Sequence, residues 1–197
     1  SSMLASLIND RKTESLIAQT RQNYETFFNT IDDFLFVFDD NMNIIDINST
    51  VNLRLGYTAN ELKGKNVLTV RPINTHAKAI ESIQLLLSGK QASCTLPLQM
   101  KTGAQIPVET RVKRGLWNGQ HVIFGVSKDI SQIKLSEEKF ATAFESNAAG
   151  MAITHFYNGS YIDVNNAFLE IFGYSRKAML GKKGSDLQLF VDVSVRE

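Results

Sequence analysis

Cysteine is almost absent: Cys94 is the single one among 197 residues, beside three prolines, one tryptophan and three histidines. A lone thiol forms no internal disulfide, so the fold must rest on burial and hydrogen bonding, as suits a reducing compartment. With no cysteine pair and no two histidines at helical spacing, the usual zinc patterns are missing and no metal is expected. His76, His121 and His155 stand far apart, and neither a Gly-x-Ser-x-Gly elbow nor a Gly-x-x-x-x-Gly-Lys loop occurs. Nucleophilic catalysis and nucleotide hydrolysis therefore lack their residues, and no enzyme is expected in this segment. Charge of one sign is not in excess either, 21 basic residues against 20 acidic for a net +1, which argues against a general electrostatic grip on nucleic acid or anionic membrane. No apolar run approaches the length a bilayer requires, and no secretory signal opens the chain. A cytoplasmic location is expected, with any membrane anchor lying upstream of Ser1.

Apolar residues make up 43% of the chain, enough to bury one ordinary core and begin another. Residues 3–31 contain no proline and read as a helix. Ile17, Thr20, Tyr24, Phe27 and Ile31 recur there at three- and four-residue steps, the spacing of a coiled-coil seam. Leu4, Leu7 and Ile8 extend the stripe, while Arg11 and Ser15 weaken it. Such a helix either packs on its own domain or presents the seam to a second copy.

Phe34 to Phe38 is aromatic and β-branched and runs into the turn signal Asp39-Asp40-Asn41; Ile44 to Ile47 follows as the partner of a hairpin. A short helix is expected over 49–56, ending at Gly56, and another turn from Thr58 to Leu62. Ala77 to Leu87 reads as a helix with Ile80, Ile83 and Leu87 on one face. Alternation at Leu96, Leu98 and Met100, then at Ile106, Val108, Thr110 and Val112, predicts two more strands, and Asn118-Gly119 a tight turn into a last one at Val122 to Val126. The pattern suits an α+β unit, a five-stranded antiparallel sheet with helices on one face. Residues 129–147 turn helical again, with Ile130, Ile133, Phe140 and Phe144 at seam spacing, and a further hairpin is expected around Asn158-Gly159.

The chain also repeats itself. Asp46-Ile47-Asn48 recurs as Asp163-Val164-Asn165, Gly56-Tyr57 as Gly173-Tyr174 and Gly64-Lys65 as Gly181-Lys182, always 117 positions apart, while Phe28 and Phe144 match with a one-residue slip. Several pairs in one register mark a duplicated structural unit. Glu197 falls opposite position 80 of the first copy, so the second copy is expected to be truncated, lacking part of its helix and three strands. The expected divisions are a connector helix at 1–31, a domain at 32–131, a linker helix at 132–147 and a half-domain at 148–197.

Phe34 through Asp39, Ile44 to Asn48, Leu55-Gly56-Tyr57, Glu61-Leu62, Gly64-Lys65, Lys101-Thr102-Gly103, Ile106-Pro107-Val108, Asn118-Gly119 and Asp129-Ile130-Ser131 occur in the order of the PAS sensor domains, which the sequence resembles over 24–134 in full and 140–197 in part. Asp129-Ile130-Ser131 looks like the Asp-Ile-Thr signature that closes such a domain and opens its output helix. The resemblance implies a curved sheet cupping small helices around a pocket. It also implies a role in sensing or dimerisation, relayed through helices to an output such as a histidine kinase within a phosphorelay.

Flavin-binding light sensors of that family carry a cysteine just after the short helices, and Val67 to Pro72 has none. Haem-binding members use a histidine on the long helix, and here His76 is placed just before it. No cofactor is therefore expected. The candidate pocket residues are Phe36, Phe38, Leu55, Ile80, Ile83, Leu98, Val108 and Phe124; they would line a small-molecule site or, more plainly, fill a small core. Asn48 and Asn165 are expected to cap the helices that follow them. The partner expected is a second copy, joined through the N-terminal and linker helices. The alternatives are a ligand-free dimerisation scaffold and a sensor module for a cyclic-dinucleotide synthase or hydrolase.

Overall fold

The computed structural model describes residues 2–187 and 189, with residues 2–10 described by backbone alone. The side chains of Leu4, Leu7 and Ile8, expected to lengthen the helical stripe, thus lie outside the described residues. The chain divides into two compact units, Ser1–Ser131 and Gln132–Glu197.

In the first unit, α1 (Ser2–Thr30) leads into the hairpin of β1 (Phe34–Phe38) and β2 (Ile44–Ile47). All five β1 residues are buried, because both faces of the strand are covered, and a strand covered on both faces reads as an unbroken apolar run. Two short helices follow, α2 (Ser49–Leu55) and α3 (Ala59–Leu62), then 3-10 turns at Val67–Val70 and Ile73–Thr75, and α4 (His76–Leu87). β3 (Leu98–Gln99), β4 (Gln105–Ile106), β5 (Val108–Trp117) and β6 (Gln120–Asp129) complete the unit. The main sheet is antiparallel and four-stranded, in the order β2-β1-β6-β5. Asn118 and Gly119 close the β5–β6 turn at φ of 50° and 77°, the backbone that this residue pair adopts readily.

The expected fifth strand is present only in pieces. Leu98 pairs with Ile106, and Cys94 bridges Thr110 in the same register, with reciprocal backbone hydrogen bonds of 2.9 and 2.7 Å. Between these points Pro97 falls opposite Pro107, and neither has an N–H to donate. The ladder breaks there into β3–β4 and an isolated bridge.

Alternation divides the side chains between two cores. Phe34, Phe36, Phe38, Leu98, Val108 and Ile123 pack inward under α2, α3 and the first 3-10 turn. Leu35, Val37 and Val122 point the other way and meet Phe28, with Ile31, Trp117 and Phe124 against them. The end of α1 covers this outer face: Tyr24 and Phe28 lie 4.9 and 5.6 Å from the Trp117 ring. Tyr24 is therefore packed within its own unit, while Leu16, Ile17 and Phe27 remain well exposed.

Thr58 and Glu61 form a reciprocal capping box on α3, and Lys101 holds Glu61 at 2.5 Å. The Lys101 ammonium and the Thr58 donors bring the Glu61 carboxyl down to about 2. Its folded pKa lies below its ordinary value, so its contribution to stability is complete above about 4.5 and fades as pH falls towards 2. Glu61→Gln should flatten that part of the acid limb of a urea-midpoint profile, with the difference shrinking in high salt because the pair is exposed. Superimposable wild-type and mutant profiles would contradict this.

The helix α5 (Ser131–Ser146) starts on the last residue of the first unit, and the second unit comprises the rest of it, the hairpin of β7 (Ala152–Thr154) and β8 (Tyr161–Val164), α6 (Asn166–Phe172) and α7 (Arg176–Met179). It repeats the first unit's local geometry. Gly56 and Gly173 end their helices with φ of 79° and 70°. Gly64 donates its N–H to Ile44, and Gly181 donates to Tyr161. Phe28 and Phe144 are both buried, as are Leu62 and Met179. Arg176 joins Glu145 of α5 to Asp163 of β8 at 2.6 and 2.7 Å. Phe156 and Tyr157 stand almost wholly exposed on the hairpin.

Candidate ligand pocket and helix junction

Between the inner face of the sheet and α4 lies a cavity of about 30 Å³, room for little more than water. Phe36, Phe38, Ile83 and Leu98 line it, as their strand and helix positions suggest. Leu55 and Val108 sit in the core beside it without reaching the cavity, both fully buried. Two expected lining residues are elsewhere. Phe124 points to the outer face, against Trp117 at 5.6 Å, because β6 sends Ile123, Gly125 and Ser127 inward and its neighbours outward. Ile80 is off the cavity because α4 turns Ala79, Ser82 and Leu86 fully inward instead; small residues at 79 and 82 let the helix approach the sheet closely.

The polar part of the wall went unseen in the sequence. Arg71 leaves the Val67–Val70 turn and directs its guanidinium across the cavity. Nη1 donates to the carbonyls of Leu96 and Pro97 at 2.5 and 3.2 Å, and Nη2 to Thr110 Oγ1 at 3.0 Å. Thr110 and Ser127 share a buried hydroxyl contact of 2.8 Å. Cys94 closes the same wall. Burial pushes its thiol above the ordinary range, against the opposing pull of Arg71, Ser82 and Leu96; burial likewise draws the Arg71 guanidinium below its usual value. The one signal for Arg71 was a lone cation in an otherwise apolar stretch. His76 is the first residue of α4 rather than the one before it, and its Nε2 meets the Arg71 carbonyl at 3.1 Å.

A second constellation ties the ends of the unit together. Asn48 is fully buried, and its Oδ1 accepts from Leu35 and, at longer range, from Val51 at the start of α2. Its Nδ2 donates to the carbonyls of Ile31 and Asp33 just past α1. Asn165 repeats this arrangement on Met151, Phe168, Asn147 and Ala149. At the other end of α2, Arg54 stacks 4.9 Å over the Phe34 ring and pairs closely with Asp129. Asp129 Oδ1 also accepts from the Ser131 backbone N–H at 2.7 Å, at the first turn of α5. Burial would raise the Asp129 carboxyl, but the Ser131 donors and Arg54 outweigh it and hold it below the usual range. The helix α2 thus bonds to the end of α1 and, through Arg54, to Asp129 at the end of β6.

A family profile for the PAS fold matches residues 22–130, more than half of the chain, and one for the PAS domain matches 138–196. The chain belongs to the PAS family of sensor domains. Among solved structures, the PAS domain of an HTR-like protein from Haloarcula marismortui is 22% identical, with a TM-score of 0.52 over 61% of this chain and 99% of that one. A PAS domain from Desulfitobacterium hafniense is 30% identical, with a TM-score of 0.48 over 53% of this chain and 98% of that one. The methyl sulfide methyltransferase-associated sensor of Methanosarcina acetivorans is 26% identical over 122 residues, 61% of this chain but only 12% of that protein. Among the described residues no helix is long and apolar enough to cross a membrane, and no cluster of three His, Cys, Asp or Glu side chains is placed to hold a metal.

Proposed function

We propose that the first PAS unit binds a small molecule in the cavity beneath α4 and relays its presence through α5 to an output domain of a larger, cytoplasmic signalling protein, without catalytic chemistry of its own. The observation that carries this reading is the shared sheet. β5 and β6 supply Thr110 and Ser127 to the cavity wall, and β6 ends at Asp129, which grips the start of α5. A shift of these strands on binding would reach the helix within two residues of the sheet. The output proposed is a histidine kinase, the family's common one, and a cyclic-dinucleotide synthase or hydrolase is the alternative. The sequence downstream in the gene separates the two. Native mass spectrometry before and after denaturation tests the sensor reading. A small molecule released on unfolding supports it. A bare protein that also binds nothing from a metabolite panel would instead favour a ligand-free dimerisation scaffold.

A second copy is the proposed partner, through α1 and α5. Leu16 and Ile17 are about two-thirds exposed (65% and 63%), beside an open groove that Leu116 and Trp117 also line; on α5, Ile133 and Phe140 are exposed. Tyr24 is a poor test because it packs on Trp117, so the informative change is Ile17→Glu. A charge in an apolar seam incurs desolvation, and the variant should weaken self-association by about tenfold or more in sedimentation equilibrium, one charge in a seam amounting to over ~1.4 kcal/mol. A wild type that is monomeric at high concentration would refute the partner.

A further inference from the structure

We propose that the PAS cavity recognises a small carboxylate, an anion of the acetate-to-butyrate class, docked on the Arg71 guanidinium; this rests on the cavity being the ligand site. Arg71 is the one charged residue in the cavity wall, and the rest of that wall is apolar, hydroxyl or thiol. Among the described residues it forms no ion pair with a carboxylate, whereas Arg21, Arg54, Arg111, Arg114 and Arg176 each do. Cys94 does not balance it, since a thiol whose pKa is raised by burial stays neutral near pH 7. A partly buried guanidinium remains charged even when its pKa is drawn down, and an uncompensated charge in such a place is costly.

Its hydrogen bonds leave room for an anion. The two carbonyls and the Thr110 hydroxyl engage three of the five N–H groups. Two of the five N–H donors, the Nε–H among them, meet no protein acceptor among the described residues, and the Nε, not being a buried nitrogen without a partner, has access to solvent. A carboxylate takes such a pair of donors with both oxygens, more strongly than a neutral acceptor does. Thr110 and Ser127 stand beside it, and Phe36, Phe38, Ile83 and Leu98 offer an apolar seat for a short alkyl tail. Gly125 lines the cavity too, and its lack of a Cβ leaves room for the Phe38 ring, which a Cβ would approach within 3.1 Å. The cavity of about 30 Å³ has room for little more than water, so the carboxylate enters only as α4 moves outward.

The test is a 15N-resolved NMR titration of the full chain with sodium propionate, with propionamide as the neutral isostere and sodium chloride at matched ionic strength. Propionate is expected to give saturable shifts at the Arg71 Nε–H and at the amides of Leu98, Thr110 and Ser127; propionamide and chloride should not. Arg71→Gln should weaken the response by about tenfold or more, the loss of a charge-assisted paired contact. Should that variant fail to fold, Ile83→Phe, on the α4 side of the cavity, keeps the cation and fills the cavity, and it must abolish the response. Equal responses to propionate and propionamide would overturn the carboxylate while leaving the pocket as a ligand site. Propionate shifts confined to surface lysines would overturn it too, as would no saturable shift from propionate. No pocket response to either probe, together with a bare protein in native mass spectrometry, would overturn both this proposal and the sensor reading.

Discussion

Asn48→Ala is expected to lower the stability of the first PAS unit by about 2–6 kcal/mol, because a buried N–H and a part-buried carbonyl lose their partners and each such group costs roughly 1–3 kcal/mol. Val51 keeps a second acceptor in the Asn48 carbonyl, and the Ile31 carbonyl keeps the Thr50 hydroxyl. The Leu35 N–H and the Asp33 carbonyl lose their side-chain partner, at 3.1 and 2.9 Å in the wild type. Domains are stable by only about 5–15 kcal/mol, so this is a large fraction. Asn48→Asp should be no milder. It preserves the acceptor but sets an oxygen against the carbonyls of Ile31 and Asp33, and the penalty grows as pH rises and the new carboxyl ionises. Urea unfolding followed by circular dichroism measures both, with Asn60→Ala, exposed on α3, as the neutral control. A loss below about 1 kcal/mol for Asn48→Ala, the scale of a surface cap alone, would show that the buried bonds carry no weight.

That asparagine also marks how far sequence reasoning reaches. An Asn between a strand and a helix announces a cap, and the cap is present at both Asn48 and Asn165. Nothing local announces the bonds to Ile31, Asp33 and Leu35, which arrive from 13 to 17 positions away. The hairpins, the short helices and their glycine ends were legible because each rests on residues a few positions apart, and the 117-residue repeat made them legible twice. The sheet's broken edge was not, since Pro97 and Pro107 interrupt a ladder only once the register sets them face to face. For the cavity, apolar content was visible but facing was ambiguous. In a β6 covered on both sides, Phe124 and Gly125 compete for the inner face, and the glycine takes it so that the Phe38 ring has room. Arg71 has no such local signal: it is one cation at the end of an apolar turn, and only the fold brings it against Thr110.

Asp129→Ala is expected to remove the ligand-dependent change in output of the proposed larger signalling protein while leaving the PAS unit folded. The structural part of the claim is modest in energy. Loss of the oxygen that accepts from Ser131 is worth about 1 kcal/mol, and loss of the partly exposed pair with Arg54 adds at most about as much again, too little to unfold a domain. The mechanical part is larger. Asp129 is where β6, α2 and α5 meet through side chains, by way of Arg54 and the Ser131 N–H. Without it the first turn of α5 loses its side-chain bond to the strand that lines the cavity, and only the Ile130 N–H to the Pro107 carbonyl still ties the junction to the sheet. Hydrogen exchange on the isolated chain should register this locally, with faster exchange at Ser131 by about fivefold, the equivalent of ~1 kcal/mol, and unchanged protection at Phe36 and Ile123 in the sheet. Asp129→Asn separates the two contributions. It retains a capping oxygen but gives up the charge facing Arg54, so exchange at Ser131 should stay near wild type, and any loss of relay is then assigned to the ion pair. Full ligand response in the Asp129→Ala form of that larger protein, at wild-type expression, would mean that the signal leaves the sheet by another route.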